Sequence, residues 1–270
     1  MRQRALVQIA ALASIFLILS NYAWADGLRV ERLTWAGVKL SSERATVFID
    51  AVGTDLWDGK APQGLVPVTA DTGSRYALIS HVHNDHFDAA TLREVLGERG
   101  SVICVDEIAS YVASRGLRVI SAKPWVPVQR GGFVFTALPA VDGFGAQQVS
   151  WLVRHQNVRI LHAGDTLWHG ALADIGAQFA PIDIAFLPIN GARMQTQPST
   201  HTPAVMTPQQ AVDAARLLGA RSAVPIHFGL NDPPHYVEVA QPLQTFERLA
   251  AEQDVLVQAL VPGETYVWPK

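Results

Sequence analysis

The segment Ser80-His81-Val82-His83-Asn84-Asp85-His86 packs three imidazoles and a carboxylate into six positions, directly after the apolar run Tyr76 to Ile79. The chain has 9 histidines in 270 residues, so a structural role would require several neighbours to be buried or solvated one by one for no shared purpose. An extended strand end turns alternate side chains to the same face, so His81 and His83 are expected to point together. Asp85 and His86 follow, where a turning chain directs them to a second centre a short distance away. Neutral imidazole is a common zinc ligand and tolerates a carboxylate beside it. The spacing therefore predicts a metal centre.

Such a cluster needs a rigid frame. Short β-rich runs alternate with amphipathic stretches along the chain, which predicts an α/β (α+β) protein with sheets covered by helices. Strands are expected at Thr46 to Ile49, Tyr76 to Ser80, Ser101 to Val105, Phe133 to Leu138, Val149 to Val153, Arg159 to His162, Ile182 to Leu187 and Ser222 to Ile226. Apolar residues three and four apart predict helices at Ala89 to Leu96, Asp106 to Ser114, Leu167 to Gln178, Pro208 to Leu218 and Pro242 to Gln253. Thr207-Pro208 supplies an N-cap and an N1 proline, and Gly219 a C-terminal stop. Val52 to Ser74 and Asn190 to Met206 are too polar and interrupted for core elements, and such long loops usually shape a binding site.

On these residues the sequence resembles the metallo-β-lactamase superfamily, over about residues 26 to 270. His81-x-His83-x-Asp85-His86 is that family's signature. Asp50 at a strand end, Gly164-Asp165-Thr166 after the strand Arg159 to His162, and Pro225-Ile226-His227-Phe228-Gly229 after another strand match its other landmarks in order. Phe186-Leu187-Pro188-Ile189 and Met206-Thr207-Pro208, leading into Val224-Pro225-Ile226-His227, are similar to the branch that includes ascorbate-phosphate lactonase. The resemblance implies a four-layer αββα sandwich with two metal ions at one edge. His81 and His83 would hold the first ion, Asp85, His86 and His227 the second, and Asp165 would bridge them. Asp50 would orient a ligand histidine and so fix its tautomer.

One landmark differs. Where the family has Pro-Ala-x-His-Gly, this chain reads Pro139-Ala140-Val141-Asp142-Gly143. Asp142 would put a hard carboxylate oxygen in place of an imidazole. Three arrangements follow: Asp142 is a ligand, the first ion binds weakly, or His162 or His169, which flank Asp165, substitutes. For His162 the alternative is a strand histidine satisfied by backbone groups. His201 and His235 lie in loops, where each would contact substrate or face solvent.

Two divalent ions, most simply Zn2+ with Mn2+ or Fe2+ compatible, that share a water bring its pKa toward neutrality, and the bridging hydroxide attacks an ester, lactone, amide or phosphodiester. Asp85 and Asp165 are expected to hold this nucleophile in line, and a loop histidine or a metal-bound water to protonate the leaving group. The chain lacks Gly-x-Ser-x-Gly, so serine hydrolysis ranks far lower. The competing readings are a di-iron oxidoreductase on the same ligands and a non-catalytic metal-binding module. Trp57, Trp168, Phe144 and Arg193 are expected beside the cleft.

Composition narrows the partners. Hydrophobic residues make up 49% and charged residues 17%, and the net charge is -3. This is a globular composition without the basic field that nucleic acid requires, so a small-molecule substrate is expected. The lone Cys104 lies in an apolar strand, which excludes an intrachain disulfide and a thiolate cluster and suits core packing. Arg2 and Arg4, the apolar stretch Ala5 to Leu19 and Ala23-Trp24-Ala25 read as a signal peptide over residues 1 to 25, followed by one hydrolase domain over 26 to 270. The apolar stretch is shorter than the roughly 20 residues that cross a bilayer. Export to a bacterial periplasm is expected, with no stable membrane insertion after cleavage.

Overall fold

The structure is a computed structural model that describes residues 27–53, 56, 65–195 and 202–268. The expected leader over residues 1–25 lies outside the described residues, as do Trp57 and His201. In chain order, β1 (Leu28–Arg32), β2 (Val38–Ser41), β3 (Ala45–Ile49) and β4 (Ser74–Leu78) lead to α1 (Ala89–Leu96), β5 (Ser101–Val105), α2 (Asp106–Ser114) and β6 (Val119–Ala122). Then come β7 (Val128–Arg130), β8 (Phe133–Pro139), β9 (Val149–His155), β10 (Val158–His162), α3 (Ala171–Phe179), β11 (Ile184–Pro188) and β12 (Arg193–Met194). The chain continues with α4 (Pro208–Leu217), β13 (Ser222–Ile226), β14 (Tyr236–Val237), α5 (Pro242–Ala251) and β15 (Thr265–Trp268).

The strands form a seven-stranded sheet in the order β15-β1-β2-β3-β4-β5-β6, a six-stranded sheet in the order β13-β11-β10-β9-β8-β7, and a separate β12-β14 pair. Side chains alternate along a strand, and in the six-stranded sheet both sets are apolar. Trp151, Val153, Ile160, Ile184 and Phe186 face the seven-stranded sheet and join Val47, Phe48, Ile49 and Ile103 in one core. Leu152, Leu161, Ala185 and Leu187 point the other way, onto Leu172 and Ile175 of α3, Val212 of α4 and Phe246 of α5. Leu92 of α1 and Val112 of α2 belong to the first core, beyond the seven-stranded sheet. The result is the four-layer αββα sandwich.

Strand direction positions the site. β3, β4, β5 and β6 run parallel, as do β10, β11 and β13. The carboxyl ends of β3, β4, β10 and β13 lead into Asp50, His81, Asp165 and His227. In open parallel sheets ligands gather outside those ends. The chain must turn sharply there, and Asp50 (φ 46°), Gly164 (φ 62°) and His227 (φ 56°) all take left-handed backbone conformations. Such values are uncommon for residues other than glycine and concentrate at functional sites.

Several elements differ from expectation. β4 ends at Leu78, so His81 and His83 sit on a loop rather than a strand end, and His86 N and Phe87 N both donate to His83 O, at 3.0 and 2.9 Å, closing a turn. The helix expected from Leu167 starts at Ala171, because Thr166 pairs with Asp142 and Leu167 N donates to Val141 O at 2.8 Å, which holds the backbone extended. The expected loop Asn190 to Met206 contains β12. Cys104 is fully buried in β5, and burial pushes its thiol up to about 12.

Candidate metal centre

Asp50 is fully buried at the end of β3. Its Oδ1 accepts from Ser80 N at 2.8 Å, its Oδ2 accepts from Ser80 Oγ at 2.5 Å, and His86 Nδ1 lies 2.9 Å from Oδ2. A carboxylate only accepts, so His86 Nδ1 must carry the proton. Ser80 has given its single hydroxyl proton to Asp50, so its oxygen accepts from His81 Nδ1 at 2.9 Å. One carboxylate thereby sets two imidazoles, each with Nε2 turned inward. The sequence pointed Asp50 at a ligand histidine, but not at two, and Ser80 as the relay was missed.

Those inward atoms meet Asp165. Its Oδ1 lies 2.9 Å from His86 Nε2, its Oδ2 lies 2.9 Å from His227 Nε2, and His81 Nε2 is 3.9 Å from Oδ2. Asp85 Oδ2 stands 3.7 Å from both His86 Nε2 and His227 Nε2. Potential ligand atoms of Asp85, His86, Asp165 and His227 lie within 4.8 Å of one another, as do those of His81, His83 and Asp85. His81, His86, Asp165 and His227 are buried, whereas His83 keeps 40% of its side chain exposed.

Charge balance in this buried space is strongly biased. Burial opposes charge on every group. At His86 the carboxylates of Asp165 and Asp85 outweigh it and hold the imidazole pKa well above its ordinary value, and Asp165 does the same more weakly for His227. His227 and His86 in turn hold Asp165 well below the usual carboxylate range against its own burial. His81, deeply buried and beside His86, is pushed down to about 4 and is neutral.

A divalent cation fits this arrangement. His81 Nε2, His86 Nε2, His227 Nε2 and Asp165 Oδ1 are buried without a hydrogen-bond partner, so the 2.9 Å approaches between Asp165 and the imidazoles lack hydrogen-bond geometry. Buried polar atoms are nearly always paired. Several orphans converging on one small volume, all imidazole or carboxylate, are what a zinc-type cation satisfies.

Neighbouring side chains hold the set in place. Trp35 Nε1 donates to Asp85 Oδ2 at 3.1 Å, and the Trp35 ring lies 4.2 Å from the His227 ring at 47°. Gln148 Oε1 accepts from Asp165 N at 3.2 Å. Neither residue carried a local sequence signal, since each acts from a distant strand or turn.

Asp142 is buried, with Oδ1 accepting from Phe144 N at 2.6 Å and Ala146 N at 3.1 Å, and its Oδ2 is 3.9 Å from His83 Nδ1. It borders the His81 and His83 group while also closing its own loop. His162 does not substitute as a ligand: Nε2 lies 2.7 Å from Ala36 O and Nδ1 accepts from Gly164 N at 3.2 Å, so both ring nitrogens are committed. His169 is half-buried and belongs to neither ligand group among the described residues. His235 is exposed and does not line the cleft. A cavity of about 320 Å³ opens onto the cluster, lined by His83, Asp85, Asp142, Asp165 and His227 with Phe144, Met194, Ala204 and Tyr236. Trp168 and Arg193, expected at the cleft, are not in its lining; Arg193 borders a separate groove with Gly191 and Val239.

Comparison with known proteins agrees with this fold. Residues 45–228 match the beta-lactamase superfamily domain. A metal-dependent hydrolase of Rubrobacter xylanophilus is 31% identical over 208 residues, covering 69% of this chain and 76% of that protein. The solved structure of a metallo hydrolase from Ignicoccus hospitalis superposes with a TM-score of 0.71 at 20% identity, over 90% of this chain and 99% of the other. A diiron β-hydroxylase from Streptomyces venezuelae shares the fold with a TM-score of 0.67 at 15% identity, over 90% of this chain and 53% of the other.

Replacing Asp50 tests the orientation of the two imidazoles. In Asp50→Asn the amide still accepts from Ser80 N but offers His86 Nδ1 no anionic acceptor. Zinc affinity measured by chelator competition is expected to fall by about 10- to 100-fold with the circular dichroism spectrum unchanged. Unaltered affinity contradicts the role given to Asp50.

Proposed function

The chain belongs to the beta-lactamase superfamily, and from that premise we propose that it is a metal-dependent hydrolase acting on an uncharged acyl compound, an ester, lactone or amide. The observation that carries the proposal is the convergence of buried, unpaired imidazole and carboxylate atoms from three strand ends, those of β4, β10 and β13, on one cleft. His81 and His83 would hold one cation, Asp85, His86 and His227 a second, and Asp165, which approaches both sets, would bridge them. Such cations, most simply Zn2+, supply Lewis acidity that activates water and polarises the substrate oxygen. Asp85, fixed by Trp35, and Asp165, fixed through its backbone by Gln148, keep the ligand set rigid, so substrate meets a preformed site.

The lining supports the choice of substrate. Phe144, Met194 and Ala204 give the cleft an apolar wall, while Asp142 adds a carboxylate beyond those of Asp85 and Asp165. Among the described lining residues there is no lysine or arginine. An acyl group suits this wall, and a phosphodiester anion would meet Asp142 without a balancing side chain. The cavity of about 320 Å³ suits a small molecule.

The di-iron reading draws on the β-hydroxylase of similar fold, and metal analysis separates the two, since hydrolysis needs no redox-active ion. Protein stripped with chelator and reloaded with zinc is expected to turn over esters or lactones in a panel that also holds amides and phosphodiesters, and His227→Ala to lower kcat/KM on the order of 10³-fold. Cleavage of phosphodiesters alone contradicts the acyl preference. Full zinc occupancy without turnover anywhere in the panel favours a non-catalytic metal-binding module.

The same proposal places the enzyme outside the cytoplasm, on the basic start, the apolar stretch and Ala23-Trp24-Ala25. Intact mass of soluble protein from a secreting bacterial host is expected to show a chain beginning at Asp26. A soluble product that retains Met1 to Ala25 contradicts export by cleavage.

A further inference from the structure

We infer that Tyr236 is the proton donor to the leaving group of the bond this site breaks. The inference rests on the hydrolytic reading above and supplies the group that reading lacks. A loop histidine or a metal-bound water was the expected donor; of the histidines, His235 is exposed, His169 is absent from the cleft lining and His201 lies outside the described residues. Tyr236 lies in that lining together with Asp85, Asp165 and His227.

Its hydroxyl is held by a chain of fixed polarity. Asn190, fully buried after β11, accepts at Oδ1 from Ala192 N at 3.2 Å, which settles which end of the amide is oxygen. Its Nδ2 therefore donates to Tyr236 Oη at 2.7 Å and to Glu238 Oε1 at 3.1 Å. Because Tyr236 accepts from Asn190, its own proton must point away from Asn190. Glu238 Oε1 also accepts from Gly229 N at 2.8 Å and Leu230 N at 3.1 Å, immediately after His227. The β12-β14 pair is thus tied to the loop that presents a ligand histidine, and the phenol is fixed relative to the cluster.

The acid strength suits a basic leaving group. Burial holds the phenol well above its usual range, offset in part by the Asn190 hydrogen bond, and Asp165 and Asp85 push in the same direction as burial. Tyr236 thus stays protonated throughout the neutral range. A simple alkoxide is more basic than an ordinary phenolate, so a phenol is a competent proton donor to it. In the balanced step, the water oxygen bonds to the acyl carbon, the bond from that carbon to the leaving oxygen breaks with its electron pair going to oxygen, and that oxygen takes the phenolic proton. The phenolate regains a proton from the one the attacking water gives up. The sum is ester plus water to carboxylic acid plus alcohol.

Dependence on the leaving group separates proton donation from a packing role, because 4-nitrophenolate departs without help and ethoxide does not. Zinc-loaded wild type and Tyr236→Phe are compared on 4-nitrophenyl butyrate and ethyl butyrate, with metal content measured for both proteins. Tyr236→Phe is expected to lose about 100-fold in kcat on the ethyl ester, to stay within about 3-fold on the nitrophenyl ester, and to keep its metal. Equal losses on both esters, or no loss on either, overturn the role of Tyr236 and leave the hydrolytic reading intact. Failure of the wild type on both esters and on the lactones and amides of the panel above overturns the reading of the site as an acyl hydrolase, and the donor with it.

Discussion

One buried carboxylate decides which nitrogen of two histidines is left facing the cluster. Asp50 accepts from His86 Nδ1 directly and governs His81 Nδ1 through the Ser80 hydroxyl. If Asp50 could not ionise, neither tautomer would be set. The hydrogen bond from His86 and that imidazole's positive potential keep it ionised, since together they outweigh the cost of its complete burial and hold its pKa below the ordinary carboxylate value. An isolated buried charge is expensive, and one partner of this network stabilises the next. The arrangement therefore stands or falls together: Asp50 orients His86, His86 and His227 neutralise Asp165, and Asp165 sits where both ligand groups approach.

The fold's contribution is to deliver these groups from remote points of the chain to one edge. Two sets of parallel strands end on the same side of the sandwich, and the left-handed turns at Asp50, Gly164 and His227 bend the chain across that edge. Gly164 packs so closely on Ser80 that an added Cβ would stand 3.0 Å from Ser80 Cβ. The turn that carries Asp165 thus lies against the relay that orients His81. Packing beneath the edge is dense, with Trp151 fully buried and its Nε1 donating to Ile79 O at 2.9 Å. A frame this constrained presents the clustered side chains in a fixed geometry.

How much of this could be read beforehand depended on whether a signal was local. His81, His83, Asp85 and His86 were legible because their spacing is contiguous. Asp165, His227 and Asp142 carry no meaning singly and entered only through resemblance to a family. Trp35, Gln148 and the Asn190-Tyr236-Glu238 chain were missed, since each is defined by a contact with a residue far away in sequence. Most central strands were visible as apolar runs. β2 was not, because Lys39 interrupts its pattern; that lysine is nonetheless buried, 3.2 Å from Glu31 and 3.6 Å from Asp71. His162 illustrates the limit of residue type: it sits in the right strand beside the right aspartate, and backbone partners consume both of its nitrogens.

The most direct test of the central claim is the position of a bound ion. Crystals of chelator-stripped protein restored with zinc, measured on either side of the zinc absorption edge, are expected to show an anomalous difference peak in coordinating contact with His86 Nε2, His227 Nε2 and the carboxylates of Asp85 and Asp165. Zinc bound elsewhere, with no peak among those four side chains, would contradict the account.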